Sequence, residues 1–374
     1  MTDSNMTDEN PEERPTATEL IEILSGDRFE KWYRERQYSE NIKNGTPYFN
    51  GSGFTPEPHR HSPSKLLQCH RRIVYQQNNT PEEQSDPAGI FWIGRQFEAD
   101  IAFPFLEDVA TEASAYVRNT VWVDFEVETE AGALRIKGAT DPLIVDEDAI
   151  PIVPTEIKTK SSVEHLSSPN RHHRAQLHAY MVGLSQKYNI SLTNGVIVYA
   201  SRESLNMKIY HVEFDEAFWK DVVLEWADTH TQYRLRDELP PADPEAEWEC
   251  KFCSYRERCG RGDRHYSDVA VTGLLPQFTG YPSQKLSDYL TAYPSAKLTP
   301  SLAFQYPELA DEHGVYDWEC ARCETARTWN TIEWDGDVTA PPRCPDCFAE
   351  GSVSFLSGPA PADQVVAGGD NDAA

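Results

Sequence analysis

The stretch that most constrains this chain runs from Gly138 to Lys160, where β-like runs flank an acidic turn. Asp141 lies between two of these runs, and Glu156 and Lys158 end the next one. Strand side chains alternate between faces, so Glu156 and Lys158 point the same way. Two carboxylates and an ammonium at a strand end favour Mg²⁺ or Mn²⁺, which prefers oxygen ligands and lowers the pKa of a bound water. The alternative is a solvated hairpin with an ordinary exposed ion pair, which contributes little stability.

The excess of acidic over basic residues bears on the salt concentration in which the protein works and on the partners that it can bind. The 374 residues include 61 acidic and 34 basic residues, a formal net charge of −27 spread along the whole chain. This spread predicts adaptation to a saline cytoplasm, where the Debye length is about 3 Å at 1 M salt; the alternative is an acidic protein of a low-salt organism. Such a charge normally argues against a nucleic-acid partner, but screening weakens that argument.

Hydropathy and cysteine usage indicate a cytoplasmic protein with no membrane partner. No apolar run approaches the roughly 20 residues of a membrane span, and no secretory signal peptide is visible. In a reducing compartment, the eight cysteines are predicted to be metal ligands rather than disulfides.

The order of periodic segments predicts an α/β fold, with helices flanking one mixed β-sheet. Helices are expected over residues 17–38, from Ser62, and over 90–106, 174–184 and 214–236. Strands are expected over residues 120–127, 134–139, 143–145, 152–158, 195–200 and 207–214.

Two further motifs lie on predicted helices. Gln176 and Tyr180, four residues apart, share one helix face, and Glu98 lies four residues after Gly94. Taken singly, these are ordinary residues: a surface Gln, a half-buried Tyr and a solvated acid. Together with Gly138-x2-Asp141 and Glu156-x-Lys158, in this order, they resemble the PD-(D/E)XK nuclease superfamily, and in particular its RecB-like branch.

The resemblance implies a restriction-endonuclease-like fold and assigns roles to the strand end. Asp141 and Glu156, aided by the Ile157 carbonyl, would bind the divalent metal. Lys158 would activate water and stabilise charge in the transition state.

The resemblance also covers the helix residues. Glu98 stands where many relatives carry a histidine metal ligand. Gln176 and Tyr180 would shape the site and touch the DNA backbone.

One cysteine set joins the two ends of the core. Cys250-x2-Cys253-x5-Cys259 follows the last core helix, and Cys69 lies 180 residues before the first of them. Four thiolates suit either Zn²⁺ or a [4Fe–4S] cluster, and spacing does not decide between them. The arrangement resembles the CRISPR-associated RecB-like exonucleases and the AddB-type helicase–nucleases, which implies a [4Fe–4S] cluster. The alternative is four unrelated thiols.

The second set, Cys320-x2-Cys323 and Cys344-x2-Cys347, has the spacing of a tetrahedral Zn²⁺ site. It predicts a small C-terminal β zinc ribbon that binds nucleic acid or a partner protein; a mononuclear iron site of rubredoxin type is the alternative.

A basic patch, Arg171-His172-His173-Arg174, precedes the Gln–Tyr helix. It is a candidate phosphate contact, and the alternative is incidental charge at a helix start. His165, His172 and His173 are not expected to form a metal site.

The domains predicted from these patterns follow in order. They are a disordered acidic N-terminus (1–16), a helical extension and loop (17–61), the nuclease core with its iron–sulfur subdomain (62–265), a linker (266–314), the zinc ribbon (315–358) and a disordered tail (359–374).

The resemblance implies a Mg²⁺- or Mn²⁺-dependent DNA exonuclease or endonuclease acting on single-stranded DNA or DNA ends. It would serve antiviral CRISPR spacer acquisition, beside adaptation proteins. The alternatives are a repair or recombination nuclease working with a helicase, and a non-catalytic DNA-binding scaffold.

Overall fold

The computed structural model describes residues 17–24, 26, 28–29, 31–33, 35–36, 55–84, 88–263, 268 and 270–366. The chain divides into two compact units, 1–51 and 52–374. In the first unit, helix α1 spans Ala17–Ile23. The disorder expected for residues 1–16 lies outside the described part of the chain.

Two sheets, rather than the single expected sheet, form the core of the second unit. A five-stranded sheet has the order β2-β5-β6-β7-β8, and a three-stranded sheet has the order β1-β4-β3. Both are mixed, because β6–β7 and β1–β4 pair in parallel and the other pairs are antiparallel. The strands are β1 Arg60–His61, β2 Tyr116–Arg118, β3 Trp122–Thr129, β4 Gly132–Ala139, β5 Leu143–Val145, β6 Pro151–Lys160, β7 Asn194–Ser201 and β8 Met207–Glu213.

The chain leaves the smaller sheet at Thr140. The Thr140 hydroxyl accepts a hydrogen bond from the Val121 amide at 3.0 Å, and its carbonyl accepts one from the Thr120 hydroxyl at 2.7 Å. Pro142 has no amide hydrogen to extend the ladder. The strand therefore stops, and Asp141 lies in the break between the two sheets.

Helices cover the sheets. They are α2 His70–Gln77, α3 Ala88–Phe97, α4 Phe103–Glu112, α5 Arg171–Tyr188, α6 Glu216–Phe218 and α7 Glu225–Leu235, with π-helical turns at Glu98–Ala102 and Trp219–Leu224. The expected α/β fold, with mixed sheets flanked by helices, is confirmed. The helix expected from Ser62 is instead a 3₁₀ turn at Pro63–Lys65 followed by α2, because Leu67 has a φ of 59° and interrupts the helical path.

Helix α5 crosses the sheets at close range. A Cβ on Gly183 would lie 2.8 Å from side-chain atoms of Phe125 and Val123, so the glycine permits this approach. On the other side of β6, Ile157 packs into a cluster with Phe97 and Leu106. Strand β6 is thus covered on both faces.

The linker expected over residues 266–314 instead forms, from residue 270 onward, a helical segment with its own core. Its helices are α8 Ser283–Ala292, α9 Pro300–Gln305 and α10 Pro307–Glu312. The apolar spacing of Leu286, Tyr289, Leu290 and Tyr293 buries one helix face.

The C-terminal segment carries the second cysteine set on a short sheet of order β10-β9-β11. Its elements are β9 Trp318–Cys320, β10 Ala326–Arg327, α11 Pro345–Ala349 and β11 Leu356–Ser357. The expected disordered tail is ordered at its start, since Gln364 is buried and accepts a hydrogen bond from the Leu274 amide at 2.8 Å. Residues 367–374 lie outside the described range.

One short turn after α2 joins separate parts of this unit. The Asn78 carbonyl accepts a hydrogen bond from the Tyr293 hydroxyl at 2.5 Å, and Glu82 pairs with Lys285 at 2.6 Å. The buried Glu83 carboxylate accepts hydrogen bonds from the amides of Glu257 at 2.7 Å and Arg258 at 2.9 Å. This turn, residues 78–83, therefore holds the first cysteine region and the helical segment together.

Two buried histidines make stability depend on pH. His61 contacts the Thr231 hydroxyl at 2.8 Å, and His230 contacts the Gln77 side-chain oxygen at 2.8 Å. Burial lowers the pKa of His61 to about 3 and the pKa of His230 to about 2. Both are neutral in the folded protein, whereas unfolded histidine titrates near pH 6.5. Their contribution is therefore complete above about pH 6.5 and is lost as the pH falls below it.

We expect the free energy of unfolding to fall by up to about 1.4 kcal/mol per pH unit for each such histidine below pH 6.5. Replacing His61 by glutamine should reduce this slope, since one titrating group is removed. Replacing the exposed His211 should leave it unchanged. Urea unfolding between pH 5 and 7.5 measures the slope, and equal slopes in wild type and His61→Gln would contradict the assignment.

Candidate functional site

The centre of the site is a carboxylate inside the five-stranded sheet. Glu156, on β6, is fully buried and forms an ion pair with Lys158, two residues along the same strand face. Apart from the neighbouring Lys158 ammonium and Tyr180 hydroxyl, neither Glu156 oxygen has a partner of good hydrogen-bond geometry among the described residues. The Lys158 ammonium also lies 3.4 Å from the Ile157 carbonyl.

The break between the sheets brings Asp141 to the same place. Pairing of β5 with β6 ends at Leu143 and Pro154, so the later residues of β6 are not covered by β5. There the Ile157 amide donates a hydrogen bond to Asp141 Oδ2 at 2.7 Å. A second carboxylate is thereby fixed beside the Glu156–Lys158 pair.

A third carboxylate comes from the helical layer. Glu98 begins the π-helical turn after α3, and α3 lies close to β6, because a Cβ on Gly94 would be 3.6 Å from the Thr159 hydroxyl. Burial and the nearby Asp141 raise the pKa of Glu98 to about 7. The structure thus brings Glu98 within electrostatic reach of Asp141 and Lys158.

The charges of this group are unbalanced. Burial and Asp141 raise the pKa of Glu156 to about 8, and burial raises the pKa of Asp141. Burial opposes the charge of Lys158, but Glu156 and Asp141 outweigh it and hold the pKa of Lys158 above its ordinary value. Three carboxylates therefore face a single permanent cation.

A hard divalent cation fits this donor set. Its donors are oxygens, neither Glu156 oxygen has a partner of good geometry in the described chain, and a bound cation would offset the burial that raises the pKa values of these carboxylates. Within the described ranges, the ligand atoms of the ribbon cysteines all lie within 4.8 Å of one another. In the same ranges, the carboxylate oxygens of Glu98, Asp141 and Glu156 do not form such a group. Two oxygens bound to one Mg²⁺ are at most about 4.2 Å apart, so at least one of the three carboxylates would reach the ion through a water that Mg²⁺ retains.

Gln176 and Tyr180 support Glu156 from α5. The Gln176 amide donates a hydrogen bond to the Tyr180 hydroxyl at 2.6 Å, and both side chains are buried. Burial, followed by the adjacent Glu156, raises the pKa of Tyr180 well above its ordinary value. Tyr180 thus adjoins the Glu156 carboxylate and Gln176 holds Tyr180, while the expectation that the two residues touch the DNA backbone stays a prediction.

The basic patch, expected to precede the Gln–Tyr helix, is instead the first turn of α5 and does not form one surface. Arg174 lies 3.9 Å from Asp215 and stacks over the Phe218 ring, while His173 bonds the Tyr199 hydroxyl at 2.7 Å. Of the four patch residues, Arg171 alone is exposed.

Lys160 is a strand cation that the sequence reasoning did not consider, and it lies over Tyr199 rather than beside the carboxylates. It shares the β6 face of Glu156 and Lys158, and its ammonium lies 5.3 Å from the centre of the Tyr199 ring. The two-residue alternation along β6 was the signal for it.

Another group, His172 with Glu245 and Glu249, was also missed. Its ligand atoms lie within 4.8 Å of one another, with His172 Nδ1 3.5 Å from Glu245. It is a possible cation site of the described chain that sequence spacing does not reveal.

The two cysteine sets differ in geometry. In the ribbon, Cys320 and Cys347 have their sulfurs 3.7 Å apart, and Cys323 and Cys344 have theirs 3.6 Å apart. Four thiolates about 2.3 Å from one tetrahedral ion are separated by about 3.8 Å. This set is therefore shaped for a single metal ion.

The first set surrounds a cavity instead. Cys69, Cys250, Cys253 and Cys259 all line a space of about 260 Å³. Burial raises the pKa of Cys69 and Cys259, and that of Cys253 to about 11. These thiols fit a group larger than one ion, and the positive charge of such a group would favour their thiolate forms.

A sequence model of the PD-(D/E)XK nuclease superfamily matches residues 35–260, which is more than half of the chain. The chain belongs to the PD-(D/E)XK nuclease superfamily. This membership implies metal-dependent hydrolysis of nucleic-acid phosphodiester bonds.

Other comparisons add little to the superfamily match. A solved structure titled "Crystal structure of SSO0001" aligns over 63% of this chain and 98% of its own, with 20% identity and a TM-score of 0.40. No curated protein matches significantly. None of the helices in the described part of the nuclease is long and apolar enough to span a membrane.

Removing one ribbon sulfur should release one metal ion per chain. In Cys347→Ser we expect the metal content to fall by about one equivalent and the fluorescence of the buried Trp318 to change, because so small a sheet depends on its metal. Elemental analysis of the purified chain measures the metal. Cys253→Ser is the matched control and should keep the ribbon ion, and an unchanged content in Cys347→Ser would refute the prediction.

Proposed function

We propose that this nuclease is a Mg²⁺- or Mn²⁺-dependent deoxyribonuclease that hydrolyses single-stranded DNA or DNA ends. The observation that carries the proposal is the fully buried Glu156 carboxylate, held beside Lys158 and Asp141 at one end of the central strands. Burying a carboxylate without full hydrogen bonding is costly, and a bound cation offsets that cost. A purely structural scaffold has no need of such a group.

Asp141, Glu156 and the Ile157 carbonyl would hold the metal, with Glu98 as a further ligand. When bound, the ion supplies a water of lowered pKa and polarises a phosphoryl oxygen. Tyr180, held by the Gln176 amide, would fix the Glu156 carboxylate in position.

Lys158 acts as a cation and a hydrogen-bond donor. Its raised pKa keeps the ammonium protonated, so it can orient the attacking water by donating to it and can balance charge on the phosphate.

At the first cysteine set we propose a [4Fe–4S] cluster, and at the ribbon Zn²⁺. Cys69, Cys250, Cys253 and Cys259, all within the described part of the chain, line one cavity, and no three of their sulfurs lie within 4.8 Å of one another, whereas the ribbon sulfurs have the spacing of a single-ion site. The four-cysteine nuclease layout supports a role in CRISPR spacer acquisition beside adaptation proteins, with repair alongside a helicase as the second candidate. The charge of −27 supports work in a saline cytoplasm.

Lys158→Ala should lower the rate of Mn²⁺-dependent cleavage by at least about 10²-fold, since a preorganised cation is lost from the reacting phosphate. Release of nucleotides from a labelled single strand in molar KCl measures the rate. Lys220→Ala, which removes an exposed lysine paired with Glu216 on the surface, is the control and should retain full activity. Undiminished activity in Lys158→Ala would remove this mechanism.

The cluster assignment predicts visible absorbance near about 400 nm and about four irons per chain. Cys259→Ser should lose both, while Cys320→Ser should retain both. Anaerobic purification followed by optical and iron analysis tests this. Colourless protein with stoichiometric zinc at both cysteine sets would rule out the cluster.

A further inference from the structure

Three metal-ligating side chains meet outside the carboxylate group of the nuclease site. They are His172, in the first turn of α5, and Glu245 and Glu249, from the segment that leads into the first cysteine set. One ligand atom from each side chain lies within 4.8 Å of the other two. Because His172 and the two glutamates belong to separate elements, the tertiary fold brings them together. We call this group the His172 trio.

The distance between His172 and Glu245 suits coordination better than direct hydrogen bonding. His172 Nδ1 lies 3.5 Å from Glu245 Oε2, which exceeds the usual N–H···O distance of about 2.7–3.2 Å. Two neighbouring ligands bound at about 2.1 Å to one ion are about 3.0–3.4 Å apart. The imidazole and the carboxylate therefore stand nearly as two ligands of one ion would, and the exposed Glu245 side chain can close the remaining gap.

The electrostatics of the trio favour a cation. Burial, followed by the nearby Glu245, raises the pKa of Glu249, so the two carboxylates repel each other. Burial lowers the pKa of His172, and Lys160 and Lys158 act in the same direction, although Glu245 opposes them. The ring is therefore in the neutral form that binds metals. A dication between the three groups would offset the repulsion between the glutamates.

Neighbouring contacts set the position of the trio. The His172 ring packs edge-on against His173, with ring centres 4.0 Å apart, and His173 in turn contacts the Tyr199 hydroxyl at 2.7 Å. His172 and Glu249 both line the cavity of the first cysteine set. The sequence did not predict a metal site at His172, because its partners are distant glutamates rather than the neighbouring histidines.

We propose that His172, Glu245 and Glu249 bind one divalent transition-metal ion, which bridges the first cysteine set and helix α5. One imidazole nitrogen and two carboxylate oxygens suit Mn²⁺ or Zn²⁺, whereas Mg²⁺ and Ca²⁺ favour oxygen ligands alone. Glu249 immediately precedes Cys250, one of the four cysteines around the cavity. The ion would therefore tie a thiol-bearing segment to the first turn of α5.

The bridge would have a consequence for the nuclease site. His172 lies one turn before Gln176 on α5, and Gln176 holds the Tyr180 hydroxyl that adjoins Glu156. An ion at the trio would hold this end of the helix against the cysteine region. The inference itself does not depend on the nuclease activity, because it rests on the trio alone.

The test counts and identifies bound Mn²⁺ by EPR on the full chain. Mn²⁺ is the probe because thiolates prefer softer ions, so the two cysteine sets compete for it poorly. With one Mn²⁺ per proposed site, we expect a pulsed-EPR modulation from a directly bound imidazole nitrogen. His172→Gln should abolish this modulation and lower the bound Mn²⁺ by one equivalent. Glu249→Gln, which leaves the ring in place, should also lose that equivalent.

His165→Gln is the matched control, because it removes an exposed histidine and should keep the nitrogen modulation and the ion count. A modulation that persists in His172→Gln would overturn the site. So would occupancy that requires more than about 1 mM Mn²⁺, which would mark an adventitious ion only.

Failure of this site and failure of the proposed function are distinguishable, because the catalytic carboxylates offer oxygens alone. Glu156→Gln should lose the catalytic ion and keep the nitrogen modulation. A chain that shows the modulation but no Mn²⁺-dependent cleavage keeps the trio and removes the nuclease proposal. A chain that cleaves DNA without showing the modulation does the reverse.

The bridge itself is tested by limited proteolysis. Lys251 is exposed and lies two residues after Glu249, and trypsin cuts after it when this segment opens locally. Mn²⁺ at ten times its dissociation constant should slow this cut about tenfold, because only the closed segment holds the ion. His172→Gln should show no such protection, and His165→Gln should be protected like wild type. Equal rates with and without Mn²⁺ in wild type would overturn the bridge; mass spectrometry of the fragment ending at Lys251 measures them.

Discussion

Burial of the Glu156 carboxylate is the constraint on which the rest of the site depends. A lone carboxylate at this depth would be neutral, and burial does raise its pKa to about 8. Lys158 offsets part of the cost from the same strand face, but Asp141 adds a second negative charge at short range. The site therefore contains more carboxylates than the single Lys158 ammonium can neutralise. Burying these carboxylates lowers the stability of the fold, and a bound dication offsets that cost.

Two glycines let the covering helices approach closely enough to exclude water from this carboxylate. Gly183 allows α5 to cross against Phe125, which keeps the Gln176–Tyr180 pair over Glu156. On the opposite side, Gly94 lets α3 lie beside the end of β6. The polar site is thus held between two apolar clusters, and rigid elements rather than loops place its side chains.

Sequence periodicity was sufficient to predict the individual strands and helices whose own residues determine them. Alternation predicted β6 to within two residues at its end, and helical spacing predicted α5. The division into two sheets was not predictable, because it depends on how Thr140 bonds to Val121, a contact across 19 residues. Residues 266–314 were interpreted as a linker because of their Pro and Tyr content, although the spacing of Leu286, Tyr289 and Leu290 indicated a helix. The partners of α5's basic start, such as Asp215 and Glu245, lie far away in sequence and could not be inferred.

The turn at residues 78–83 has a consequence for how this protein could have been assembled and exchanged during evolution. It holds Tyr293 and Lys285 of the helical segment while its Glu83 side chain holds the backbone next to Cys259. A gene that acquired or shed everything after residue 265 would leave the Asn78 carbonyl and Glu82 without Tyr293 and Lys285. The part after residue 265 is therefore not an interchangeable appendage, and descent should preserve or lose it together with this turn.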